Sequence, residues 1–232
     1  MTSSNHRAPE HGLPLGTAAL VAGVGLLLMV VSAPFAQLVV FPELLVPGDA
    51  AQTASNLTQN RGLFLAGILA WLVNYSADVL VGWALFYFLA PASRPVSMLA
   101  FAFCLIYTAV ALGGVFNYVE ALRLLDAPES AAALGTERLH AQVYLLVNAY
   151  PYDWGFALVV FGVVLLLRAW LVVRAEHVPS IFGVLLAVAG FAYIVTELGR
   201  LVAPGVNLDF LILAGLAEPV FMIWLLVKGR RL

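Results

Sequence analysis

Six stretches of this chain are apolar almost without interruption, at 14–40, 62–90, 95–120, 150–173, 179–202 and 208–228. None keeps the period of two that a half-exposed strand requires. Each is long enough, at about 1.5 Å per residue, to cross a hydrocarbon core of about 30 Å as a helix. Lipid satisfies no backbone hydrogen bonds, so only helices and closed barrels span it, and continuous apolar runs exclude the barrel. The pattern predicts an all-α, polytopic transmembrane bundle of about six spans. Proline and glycine fall between the runs, with Pro42 and Pro47 after the first, Pro91 and Pro95 after the second, Pro179 before the fifth, and Pro204 and Gly205 before the sixth.

One segment departs from the pattern. From Thr136 to Tyr150 the chain reads TERLHAQVYLLVNAY, half polar, and runs straight into the fourth span. A helix from Thr136 to Val173 would be about 55 Å long, too long for one crossing. The expectation is a kink or break at Pro151, with a surface-lying or tilted first half. Tyr144, Tyr150, Tyr152 and Trp154 are expected in an interfacial aromatic belt.

The resulting domain plan is a cytoplasmic tail at 1–13, one transmembrane domain at 14–229 and a basic cytoplasmic end at 230–232. The first apolar run follows a tail with Arg7, as a secretory signal would, but it continues through Phe35 to Phe41 and is read as an uncleaved span. With both termini inside, Arg7, Arg94, Arg168, Arg174, Lys228, Arg230 and Arg231 lie on the cytoplasmic side, and Arg61, Arg123, Arg138 and Arg200 outside. Seven against four favours N-in, C-in.

Composition agrees with the pattern, since 63% of the 232 residues are hydrophobic and 10% are charged, against about 25% charged in soluble domains. The net charge of -2 gives no general attraction to nucleic acid. A lone cysteine, Cys104, rules out an intramolecular disulfide. The only lysine, Lys228, sits at a helix end, so a mid-membrane retinal Schiff base has no candidate. His6, His11, His140 and His177 all lie outside the span centres, which leaves no haem pair or zinc set. No cofactor, catalytic residue or metal ligand is assigned.

The remaining chemistry is in polar side chains within the spans, where an ionisable group costs about 2.5–3.5 kcal/mol on insertion scales and turns to the bundle interior. Asn74 and Asp78 share one face of the second span at i, i+4. Glu120 ends the third, Asp153 begins the fourth, Glu197 and Arg200 are one turn apart in the fifth, and Glu218 precedes Pro219 in the sixth. These seven are nominated as ligand-binding or proton-linked. Asp78 and Glu218 would form the floor of an outward funnel, with Arg200, Arg61 and His140 as counter-charges at its mouth. Each also has a purely structural reading. Outer charges reach the interface along their own stems, a Glu–Arg pair one turn apart is common on helices, and buried carboxylates can join helices.

Three stretches carry a resemblance. VPSIFGVLLAVAGFAYIV at 178–195, AEPVFMIWLLVKG at 217–229 and DVLVGWALFYFLAP at 78–91 resemble the bacterial multi-pass membrane family known as domain of unknown function 4386. The resemblance covers 60–229. Asp78, Pro179, Gly183 and Glu218 fall in the matching motifs, and Cys104 stands where the resemblance implies an arginine. It implies a bacterial helical membrane protein and no reaction.

Together these readings point to a protein of the cytoplasmic membrane, more a binder than an enzyme, that holds a small ligand or cation in an outward-facing polar cavity, as a sensor or transporter does. An intramembrane enzyme acting on a lipid or lipid-linked substrate and a scaffold subunit are the alternatives. The partners expected are the lipid bilayer, a small ligand or cation and a second copy of the chain.

Overall fold

The computed structural model describes residues 12–203, 205–206 and 208–232. The N-terminal tail, with His6, Arg7 and His11, and Pro204 lie outside the described residues.

The described chain is overwhelmingly helical. α1 (Leu15–Pro34) passes through a π-helical turn at Phe35–Val40 into the short α2 (Phe41–Leu44). Neither Pro34 nor Pro42 can donate a backbone hydrogen bond, and the wider turn falls between these two gaps in the ladder. α3 (Ala50–Gln59) is capped by Asp49, whose carboxylate accepts from the Gln52 backbone N–H at 2.8 Å. The long helices α4 (Arg61–Leu89), α5 (Arg94–Asp126), α7 (Thr136–Arg174) and α8 (Ser180–Val202) follow, with the short α6 (Pro128–Leu134) between α5 and α7.

Among the described residues, five helical stretches are long and apolar enough to cross a membrane: 15–44, α4, α5, α7 and α8. The stretch expected as the sixth span is divided. It is a 3-10 helix of 8 residues at Asp209–Leu216 running into α9, 11 residues at Ala217–Val227. With rises of about 2.0 and 1.5 Å per residue the two extend about 32 Å, the length of one crossing.

α1 packs on α4 and α9, α7 packs on α5 and α8, and the α4–α5 contact joins these two groups. Glycine sets the closest approaches. A Cβ on Gly162 of α7 would lie 2.6 Å from the Gly190 carbonyl oxygen of α8, and a Cβ on Gly23 of α1 would lie 2.7 Å from Leu226 of α9. Gly16 lies against Arg230 and Ala19 against Gly229. The order Gly16, Ala19, Gly23 thus meets Arg230, Gly229, Leu226, so α1 and α9 run antiparallel. The start of α1 and the C-terminus share one end of the bundle.

Two expectations are corrected here. α7 is one helix of 39 residues with Pro151 inside it, so of the kink or break expected there the break does not occur. Its first half packs into the bundle. Leu139, Val143 and Val147 are buried, α3 and α6 pack along it, and Gly48 donates its N–H to the Tyr144 hydroxyl at 2.6 Å. Contacts on several sides compensate the one hydrogen bond that Pro151 removes. The aromatic belt is also divided. Tyr152 is 82% exposed, but Tyr150 is buried with its hydroxyl 2.8 Å from that of Tyr75, and Trp154 turns inward to Trp71.

Candidate functional site

Asp78 lies 11 residues before the end of α4 and is 1% exposed. Thr108 of α5 donates its hydroxyl to Asp78 Oδ2 at 2.9 Å, and one turn earlier the Cys104 thiol lies 3.8 Å from the Asp78 backbone carbonyl. Gly82 makes this approach feasible, since a Cβ there would stand 2.8 Å from Cys104 Sγ. Asp78 Oδ1 has no hydrogen-bond partner.

The positive charge nearest this carboxylate comes from α7. Arg168 is 5% exposed, its charge acts on both Asp78 and Glu218, and its Nη2 has no hydrogen-bond partner. It also reaches Cys104, so a buried guanidinium stands beside position 104 although the residue there is cysteine. This corrects the assignment of Arg168 to the cytoplasmic charges. It lies six residues inside the end of α7, about 9 Å along the axis, with the buried Leu165, Ala169, Leu171 and Val172 around it. The run LLLRAWLVV carried the signal, because a flanking arginine would not be followed by five more apolar residues.

Glu218 enters from the first turn of α9, and the Tyr193 hydroxyl of α8 donates to its Oε1 at 3.3 Å. A gap of about 10 Å³ bounded by Arg168, Glu218, Leu26 and Phe221 lies below it, with room for about one water. A larger cavity of about 240 Å³ opens on the other side of Glu218, between α1 and the α7–α8 pair. Its walls include Met29 and Pro34 of α1, Trp71 and Asn74 of α4, Tyr107 of α5, Trp154 and Phe161 of α7, Tyr193 of α8 and Gly215 of the 3-10 helix. Ser32 donates to Asn74 Oδ1 at 3.4 Å.

Aromatic rings dominate this cavity, and sequence reasoning did not find them. Trp154, Trp71, Tyr75, Tyr107, Phe161 and Tyr193 touch in that order, with centroid separations of 6.4, 5.6, 6.3, 4.6 and 6.0 Å. The Trp71 Nε1–H is buried and has no hydrogen-bond partner.

The seven nominated residues occupy four places. Asn74, Asp78 and Glu218 belong to this interior region. Glu197 and Arg200 form an ion pair at 2.8 Å beside a second cavity of about 330 Å³ between α7 and α8, lined also by Pro151, Tyr152 and Phe156. The Glu197 carboxylate is buried against α7, where a Cβ on Gly155 would stand 2.6 Å from its Oε2. Asp153 accepts from Asn117 Nδ2 at 2.7 Å. Glu120 pairs with Arg123 at 2.6 Å in a more exposed position, and Arg61 pairs with Asp126 at 2.6 Å. Among the described residues, no three His, Cys, Asp or Glu side chains gather as metal ligands.

A family model described as a domain of unknown function, DUF4386, matches residues 21–229. The chain belongs to this family. The match begins within α1 and takes in every residue of the interior cluster and its cavity. An uncharacterized protein of the archaeon Archaeoglobus fulgidus is 29% identical over 172 residues, covering 74% of this chain and 83% of that protein. No solved structure matches the chain.

Proposed function

We propose that this protein sits in the cytoplasmic membrane with both termini inside and binds a small ligand in the cavity between α1 and the α7–α8 pair, as a sensor or transporter does. The observation carrying this reading is that Glu218, a carboxylate held by Tyr193, lines a cavity of about 240 Å³ walled by the aromatic residues Trp71, Tyr107, Trp154, Phe161 and Tyr193. A carboxylate in a span is costly and needs a compensating partner or use. Cavities of drug-sized ligands run to about 300–1,000 Å³, so the occupant here is smaller. Catalysis by paired carboxylates has less support, because Asp78 is bound to Thr108 and does not line the cavity.

The test is thermal stability of the purified chain in detergent with methylammonium, choline, 3,3-dimethylbutan-1-ol, glycerol and acetate, in wild type and in Ala33→Leu, which adds bulk to the cavity wall. Saturable stabilisation of the wild type by at least one solute, lost in Ala33→Leu, supports the reading. No saturable effect from any of them contradicts it.

A further inference from the structure

Resting on that reading of the cavity, we infer that its ligand is a small organic ammonium ion. Of the buried charges in this region, Glu218 lines the cavity, and its carboxylate faces aromatic rings with the Tyr193 hydroxyl as its donor. A carboxylate so placed is compensated by its own proton or by a cation, and a monovalent cation in the cavity takes the place of that proton.

The walls select which cation. An inorganic ion or a metal would need a shell of oxygen ligands, whereas this cavity offers mainly the faces and edges of Trp71, Tyr107, Trp154, Phe161 and Tyr193. Aromatic rings attract alkylammonium groups through their quadrupoles, most strongly when the cation is desolvated. Small alkylammonium ions and their methylated forms fit the available volume.

Choline and 3,3-dimethylbutan-1-ol have the same shape and differ in charge, so they separate this inference from the reading it rests on. The measurement is the concentration of each giving half-maximal stabilisation of the full chain in detergent. Choline should act at a concentration at least about tenfold lower than the neutral alcohol. Glu218→Gln should bring the two to within about threefold, and Trp154→Leu, which keeps every charge, should weaken choline more than the alcohol. Equal potency of the two compounds in the wild type overturns the ammonium inference and leaves the cavity reading intact, as does saturable binding of glycerol or acetate alone. No response to any solute overturns both. If Glu218→Gln does not fold, Trp154→Leu decides: equal weakening of both compounds counts against the inference.

Discussion

Tyr193 and Glu218 join α8 to α9 inside the bundle, the tyrosine hydroxyl donating to Glu218 Oε1 at 3.3 Å. Gly215 frames the contact, for a Cβ there would stand 2.5 Å from that hydroxyl. Gly215→Ala should therefore displace the hydroxyl and act like Tyr193→Phe, each lowering stability by about 1 kcal/mol. Because both remove one interaction, the double variant should cost no more than the larger single change. Additive losses in chemical denaturation would show that Gly215 acts elsewhere.

The deep charges give a second expectation. Asp78 and Arg168 are both buried and act on each other through their charges without an ion-pair contact, so removing either leaves the other less compensated. Asp78→Asn and Arg168→Gln should each be strongly destabilising, and the double variant should lose at least about 1 kcal/mol less than the sum. Unfolding in detergent measures all three, and additivity would mean that the two side chains do not act on each other.

Beside the second cavity, Glu197 depends on the space left by Gly155. Arg200 is about half exposed, so its pair with Glu197 is worth only about 0.5 kcal/mol after screening. Gly155→Ala should push the carboxylate off α7 and cost more than Glu197→Gln does. In the Glu197→Gln background, Gly155→Ala should still clash, because the amide has the same size as the carboxylate. In Glu197→Ala the clash should vanish and Gly155→Ala become nearly neutral. A Gly155→Ala effect that is unchanged in Glu197→Ala would place its cause in another contact.

The antiparallel pairing of α1 and α9 is open to a covalent test. The Cβ of a residue at 229 would lie 3.0 Å from the Ala19 Cβ, close to the separation of about 3.5–4.5 Å that a disulfide spans. Ala19→Cys with Gly229→Cys, in a Cys104→Ser background, should crosslink on mild oxidation and migrate faster on a denaturing gel, whereas Ala19→Cys with Val220→Cys should not. Crosslinking of the second pair instead would mean that the C-terminal segment runs the other way.

Much of this architecture was legible in the sequence, and what escaped follows from the same physics. Long apolar runs report that a segment enters lipid, and five of the predicted stretches are helices long enough to cross. The division at 208–228 was hidden because Asp209–Leu216 is as apolar as α9, and apolarity does not distinguish a 3-10 from an α-helix. Pro151 was read as a kink or break because a helix as long as α7 exceeds one crossing. In the fold, α3 and α6 hold the helix together from outside. The polar side chains of Asn74, Asp78 and Glu218 identified inward faces, since lipid would not tolerate them outward. Trp71, Tyr107 and Phe161 gave no such sign. An aromatic residue suits either lipid or core, so only the packed helices reveal which rings border one space. Arg168 escaped because it was counted among the cytoplasmic charges rather than with the polar residues inside the spans.

Two of the five tryptophans, Trp71 and Trp154, line the cavity on which the account rests. Titrating the purified protein with choline while recording tryptophan emission tests the cavity most directly. The account predicts a saturable change in the wild type that disappears in Trp71→Phe/Trp154→Phe while Trp83, Trp170 and Trp224 still report a folded protein. A change of undiminished size in the double variant, or no saturable change in the wild type, would contradict the binding of an ammonium ion in this cavity.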